Sequence, residues 1–217
     1  MKNTKNRDFL YINRIKEHAY SALTCFSSIT IEEFQDKDSN LRKSILFDLF
    51  QVGELVSKLS KELELSIDKA DFVGIINVRN HIVHGYSNLN NDIIVRCLQS
   101  ELSPFIEKLE RNALIIYKEQ IRNLMDKKVE VLVDKQSPLN IGHLSDINSP
   151  EGELQQVIII DTNEPLYQCM CQVVGILNYD NVLYLLGSIV GAKYSNEEIK
   201  QVIENKLHYE DYLLFVK

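Results

Sequence analysis

The sequence predicts an α+β protein, in which an all-α four-helix bundle is followed by a small α+β domain. Three observations lead to this prediction. Apolar residues recur at helical spacing through residues 8–125, the pattern changes to strand-like alternation near residue 128, and acidic residues are concentrated after that point. We therefore expect a helical domain at residues 1–127 and an acidic α+β domain at residues 128–217.

The four predicted helices differ in how clearly their ends are marked. Residues 8–27 have apolar side chains at spacings of three and four, which gives one buried stripe. Apolar residues at the same spacings in residues 41–63 predict a long second helix suited to bundle packing. Asp68 can cap the third helix, which should end at Gly85, and the fourth helix covers residues 92–125.

The second part of the chain is predicted to contain both strands and helices. Strands are expected at residues 129–133, 156–161 and 209–216. Helices are expected at residues 164–177, at residues 181–193 and after a capping box that starts at Ser195. Proline and glycine residues predict a loop between the first two strands.

The net charge differs between the two parts. Residues 1–127 carry 18 basic and 18 acidic side chains, whereas residues 128–217 carry 6 basic and 13 acidic side chains. The whole net charge of -7 therefore lies in the second part. A neutral part can contain a local basic site for phosphate, but the acidic part would repel a nucleic-acid backbone.

Composition also argues against several classes of protein. No run approaches the ~18 apolar residues of a membrane span, and the N-terminus lacks a signal-peptide core, so we expect a cytoplasmic protein. The four cysteines, at positions 25, 97, 169 and 171, have no repeated spacing. Buried thiols are therefore expected rather than a disulfide or a zinc site, and neither a metal nor another cofactor is predicted.

Arg79, Asn80, His81, His84 and Tyr86 form the richest cluster of polar side chains in the sequence. Metal-independent RNA cleavage needs a group that takes the 2′-hydroxyl proton, a proton donor for the leaving 5′-oxygen, and positive charge at the phosphate. Histidine titrates in the range that the first two tasks require, and arginine can bind phosphate oxygens through two N–H groups. The cluster therefore indicates phosphodiester chemistry.

The spacing of Arg79 and His84 limits how they can act together. Five residues of helix correspond to about 500° of rotation, so the two side chains would point about 140° apart. Either the helix bends, for which Gly85 is suitable, or a symmetric dimer brings two copies into one groove. The spacing alone is also compatible with a helix end whose polar residues have no catalytic role. In that case Tyr86 would be a half-buried anchor and His81 would lie on the surface.

Residues 8 to about 111 resemble the HepT family. Its members are toxins with a HEPN ribonuclease domain, partnered with a minimal nucleotidyltransferase antitoxin of the MntA type. The resemblance covers Arg7-Asp8, the string Val-Gly-Glu-Leu-Val-Ser-Lys-Leu-Ser at 52–60 and the string Phe-Val-Gly-Ile-Ile-Asn-Val at 72–78. It continues through the string at 79–86, which fits the family pattern Arg-x4-His-x-Tyr.

The resemblance implies a metal-independent endoribonuclease toxin that acts on RNA as a homodimer. Arg79 and His84 would be the catalytic pair, with Asn80 as a positioning residue. Tyr86 would be the tyrosine that the antitoxin modifies with AMP, which would silence the toxin. Glu54 lies in the Gly-Glu patch of the family, where it either orients Arg79 or faces solvent.

One question remains open for each part of the chain. The helical part could be a non-catalytic HEPN scaffold that binds nucleotide or a protein partner. Residues 128–217 lie beyond the usual end of the family. They could be a regulatory module that shields the RNA groove, or a docking domain for another protein.

Overall fold

The computed structural model describes residues 7–84, 89–134, 140–162, 164–179, 182–191, 194–207 and 212–215. The chain folds into two compact units, one from Arg7 to Ile116 and one from Tyr117 onward. Helices dominate the first unit and strands the second, so the predicted mixture of helices followed by strands is confirmed. In the described part of the chain, no helix is long and apolar enough to cross a membrane.

Longer helices of the first unit are separated by short ones. The helices are α1 (Asp8–Ser27), α2 (Ile31–Gln35), α3 (Asn40–Val56), α4 (Lys61–Ser66), α5 (Lys69–His84), α6 (Asn91–Arg96) and α7 (Leu102–Arg122). A π-helical turn, Cys97–Glu101, joins α6 to α7. Helix α3 packs against both α1 and α5, so it forms the centre of this unit. The side-chain oxygen of Asp68 accepts from the backbone N–H of Ala70, which confirms the predicted cap of α5.

The predicted long second helix is shorter than the sequence indicated. Helix α3 ends at Val56, and the chain turns before α4 begins. Ser60 caps α4 by accepting from the N–H of Leu63, while the buried carboxylate of Asp8 accepts from both the N–H and the hydroxyl of Ser60. The apolar spacing continued across this turn because Leu59 and Leu63 remain in the core.

The second unit contains a closed barrel. Its strands are β1 (Lys128–Val133), β2 (Ile141–Asn148), β3 (Leu154–Ile159), β4 (Gln168–Tyr179), β5 (Val182–Ser188) and β6 (Tyr212–Phe215). The strand order is β1-β2-β3-β5-β4, and β1 also pairs with β4, which closes five strands into a ring. Among these described strands, only β3 and β5 pair in parallel. Strand β6 extends the sheet by pairing with the second half of β4.

Two layers of apolar side chains stabilise this unit. Buried residues of neighbouring strands fill the barrel, and Gly187 is required there because a Cβ would lie 2.6 Å from the sulfur of Cys171. A second layer lies between the sheet and α8 (Asn196–Val202), where Ile199 and Ile203 pack on Ile158 and Leu186. The predicted capping box at Ser195 is confirmed at the start of α8.

Several predictions in this half were wrong. The segments predicted as helices at residues 164–177 and 181–193 instead contain strands β4 and β5. Both strands are apolar almost without interruption because they are buried on two faces, and such runs lack the alternation by which a strand is recognised. The stretch predicted as a loop contains β2, which is held by pairing with β1 and β3. The predicted strands at residues 129–133 and 156–161 are confirmed as β1 and β3.

The two units divide earlier in the chain than the residue 127 boundary that we expected. The last turns of α7 contribute to the second unit, in which the buried hydroxyl of Tyr117 donates to the side-chain oxygen of Gln155. Gln155 in turn donates to the backbone carbonyl of Leu183, 2.7 Å away. The sequence pattern could not reveal this because α7 remains helical across the division. The assignment of separate domains remains a prediction.

Candidate active site

Helix α5 carries most of the residues that the sequence singled out. Its buried side chains, Phe72, Ile75, Val78 and Ile82, recur at helical spacing and hold it in the core. Gly53 on α3 lies directly against Arg79, since a Cβ at that position would be 2.3 Å from the Cβ of Arg79. The two helices therefore approach closely at the arginine.

The guanidinium of Arg79 is held on three sides. Its Nε and one terminal nitrogen contact the carboxylate of Glu54, and its other terminal nitrogen donates to Asn80 Oδ1 at 2.8 Å. The guanidinium carbon also lies 5.9 Å from the ring centre of Phe50. These contacts use three of the five N–H donors of an arginine. Because the side chain of Arg79 is 32% exposed, the held guanidinium still reaches the surface.

His84 is the last residue of α5, and its side chain is exposed. Helix α5 is continuous from Arg79 to His84, so these side chains leave the helix about 140° apart. No contact between them occurs among the residues that the structure describes. The structure thus brings Arg79, Glu54 and Asn80 together and does not bring His84 to them within one chain. Gly85 and Tyr86 lie outside the described residues.

His81 takes part in local structure. Its Nε2 accepts a hydrogen bond from the backbone N–H of Asn90 at 3.1 Å. A backbone N–H can only donate, so a neutral His81 carries its proton on Nδ1. The imidazole therefore holds the chain just before α6, and its Nε2 is occupied by that contact.

A histidine and aspartate pair on α1 and α3 was not recognised from the sequence. The Nδ1 of His18 donates to the carboxylate of Asp48 at 2.9 Å, and Ser21 donates to the second carboxylate oxygen at 2.6 Å. Asp48 is buried, whereas the side chain of His18 is 31% exposed and lies edge-on to Phe47. The indication of this pair in the sequence was Asp48 itself, the single charged residue within residues 44–53. Its partner His18 is 30 residues away in the sequence, and the spacing of residues along one helix cannot predict such a contact.

A groove of about 630 Å³ lies along the other face of α5. It is bounded by α5, by α6 with the π-helical turn, and by the start of α7. Buried apolar side chains, including Ile75, Val78 and Phe105, form its floor. Its rim includes Asn77 and His81. The sequence did not indicate this groove, because its walls come from three segments of the chain.

The helical unit also matches a known family. Residues 11–112 match the family model described as ribonuclease HepT-like. No curated protein and no solved structure matches the chain. The matched segment covers α1 to α6, the π-helical turn and the first half of α7, and it includes Glu54, Arg79, Asn80 and His84. The similarity of this chain to the HepT-like ribonuclease family therefore lies in residues 11–112, within its helical part.

Proposed function

We propose that this protein is a metal-independent endoribonuclease, the toxin of a toxin–antitoxin system, with Arg79 and His84 as its catalytic residues. The observation that carries the proposal is the Glu54–Arg79–Asn80 arrangement on α3 and α5, inside the segment that matches a ribonuclease family. Glu54 orients the guanidinium and Asn80 positions it. The four longest helices, α1, α3, α5 and α7, would form the HEPN bundle.

The cleavage step uses the 2′-hydroxyl of the RNA as the nucleophile. Its oxygen forms a bond to the adjacent phosphorus while the bond from phosphorus to the 5′-oxygen breaks. The imidazole of His84 accepts the 2′-hydroxyl proton, and the imidazolium that results donates this proton to the departing 5′-oxygen. The fixed guanidinium of Arg79 stabilises the charge on the pentacoordinate phosphate. The products are a 2′,3′-cyclic phosphate and a 5′-hydroxyl end.

A homodimer would bring the Arg79 of one protomer to the His84 of the other. Arg79 and His84 diverge on one continuous helix, so a second copy is the simplest source of a complementary histidine. Subunit mixing tests this arrangement. If each site takes Arg79 from one protomer and His84 from the other, mixing Arg79→Ala with His84→Ala protein should restore about a quarter of wild-type activity. Activity no higher than that of the single variants would argue against a shared site.

RNA cleavage in the presence of EDTA tests the enzyme proposal itself. We expect the purified protein to cleave RNA without added metal, and His84→Ala and Arg79→Ala to lose about a hundredfold or more of the rate. His143→Ala is the matched control, because it removes an imidazole on β2, outside residues 11–112. Equal activity in wild type and His84→Ala would refute the ribonuclease proposal, as would no activity in unmodified wild type. A non-catalytic HEPN scaffold that binds nucleotide or a protein partner would then be the better description.

Tyr86 would be the regulatory residue of this site. Transfer of AMP from ATP to its hydroxyl by an MntA-type nucleotidyltransferase, with release of pyrophosphate, would place negative charge and bulk two residues from His84. Co-expression with such an enzyme should add the mass of one AMP group to the wild type and nothing to Tyr86→Phe. Modification of both proteins would place the regulatory site elsewhere.

The acidic second unit would regulate access of RNA. With 13 acidic and 6 basic side chains in residues 128–217, it lowers the affinity of the protein for a polyanion. Changing the exposed residues Glu151, Glu153 and Glu204 to glutamine should therefore tighten RNA binding, most clearly at low salt. Unchanged affinity would favour a docking role for this unit.

A further inference from the structure

The groove beside α5 is an open volume built into the helical unit. Its volume of about 630 Å³ lies within the range of small-molecule sites. One reason for the space is Gly74, which lines the groove and where an added Cβ would meet no atom of the described residues within 4 Å. A second is the π-helical turn Cys97–Glu101, a wider turn that is often found at functional sites.

The groove leads toward His84. Asn77, His81 and His84 stand at positions i, i+4 and i+7 of α5, so they share one stripe of the helix. Asn77 and His81 line the groove, and His84 is the next residue along the same stripe. A ligand that fills the groove would therefore have one end near the histidine that we propose as catalytic.

The charges at the rim select an uncharged polar ligand. Lys108 is paired with Asp71, and Arg96 Nε lies 2.8 Å from Glu101 Oε1. Because Lys108 and Arg96 each have a carboxylate partner, the described residues of the rim carry no excess positive charge for a phosphate. It offers hydrogen-bond donors and acceptors side by side above an apolar floor. A nucleobase has this character, with apolar faces and donors and acceptors along its edge.

The two carboxylates distinguish among the bases. Asp71 and Glu101 each contact their cation through one carboxylate oxygen, and the second oxygen, which can only accept when the group is ionised, favours a base with an exocyclic amino group. Guanine, adenine and cytosine have such a group, and uracil does not. The rim thus disfavours uracil.

We propose that this groove binds a nucleobase of the RNA next to the phosphate on which His84 acts, and that it prefers bases with an exocyclic amino group. The proposal rests on the proposed ribonuclease function, which it extends from chemistry to substrate selection. The base would anchor the strand in the groove. The connected phosphate would then lie beyond His81, toward His84.

Binding of mononucleotides to the full-length protein tests the groove without depending on cleavage. We expect GMP, AMP and CMP to bind measurably in calorimetric titrations, and UMP to bind at least about fivefold more weakly. Gly74→Leu should fill the groove and weaken binding at least about tenfold. It should fold, because the position is open and leucine is a better helix former than glycine. Val73→Leu is the matched control, since Val73 is exposed and does not line the groove.

The outcomes separate this proposal from the proposed enzyme activity. Loss of binding in Gly74→Leu but not in Val73→Leu would support the groove even if wild type cleaves no RNA. Absence of binding, equal binding of UMP, or unchanged binding in Gly74→Leu would overturn the groove proposal even if cleavage depends on His84. If Gly74→Leu does not fold, Asp71→Asn with Glu101→Gln replaces it. Those changes should abolish the discrimination against UMP, and retained discrimination would overturn the proposal.

Discussion

Two glycines on packed helices should respond oppositely to the same substitution. An added Cβ at Gly53 would lie 2.3 Å from the Cβ of Arg79 and 2.9 Å from its Cγ, whereas one at Gly74 would meet no atom within 4 Å in the part of the chain that the structure describes. The Cβ of Arg79 is attached to the backbone and cannot rotate away, so Gly53→Ala must separate α3 from α5. Gly74→Ala requires no movement.

The expected magnitudes follow from these distances. Glycine to alanine inside a helix stabilises by about 0.5–1 kcal/mol, and this should be the whole effect at Gly74. Overpacking costs about 1–3 kcal/mol, so Gly53→Ala should lose on the order of 1 kcal/mol net. The two variants should thus differ by about 2 kcal/mol, or about 4–8 °C in Tm for a chain of this length.

Urea denaturation followed by circular dichroism at 222 nm would measure this difference. Gly53→Ala should also lower RNA cleavage, because separating the helices draws Arg79 away from Glu54. If Gly53→Ala is as stable as Gly74→Ala, then α3 and α5 do not pack closely at Arg79. Close packing of the two helices would then not be what positions Arg79.

Three further predictions concern other parts of the chain. Asp8→Ala should cost about 1–3 kcal/mol in urea denaturation, because Asp8 accepts from the N–H and the hydroxyl of Ser60; an unchanged midpoint would contradict this. Burial raises the pKa of Cys97 and Cys171 to about 12, so about one thiol in ten thousand is ionised at pH 8. These two cysteines should therefore be alkylated only after the protein unfolds, as counted by mass spectrometry. Rapid alkylation of the native protein at these two residues would contradict that burial. Ser195→Ala should remove the cap of α8, which should lower the stability of the protein by about 1 kcal/mol and speed hydrogen exchange in that helix. Unchanged exchange would show that packing alone holds the helix.

The helical part could be predicted largely from local sequence. One face of each longer helix is buried and the other is exposed, so apolar residues recur at the helical period. Caps such as Asp68 act within a few residues and can be recognised directly. The error at the end of α3 has a tertiary origin, since Ser60 is engaged by Asp8 from 52 residues away.

The barrel could not be predicted in the same way. Strand β4 is paired with β5 on one side and with β1 and β6 on the other, and no local pattern encodes such pairings. Its apolar run therefore fitted a helix equally well. Strand β2 was missed because it contains Gly142, which is accommodated there by the neighbouring strand β1.

The candidate site was predicted where it depends on consecutive residues. Arg79, Asn80 and His84 lie within six residues and could be recognised as one motif. The role of Glu54 stayed open because only the packing of α3 on α5 brings it to Arg79. The groove was missed for a related reason. Its volume depends on the missing side chain of Gly74 and on the path of a π-helical turn, and neither is visible in residue spacing.

The closure of the barrel by β1 and β4 has a consequence for biosynthesis. Strand β1 cannot pair with β4 until residues 168–172 have left the ribosome, whereas α5 is complete more than 80 residues earlier in the chain. N-terminal units fold first during synthesis. We therefore expect a time window on each nascent chain in which α5 is already folded and the acidic barrel is still open. During that window the acidic unit could not yet act in its folded form.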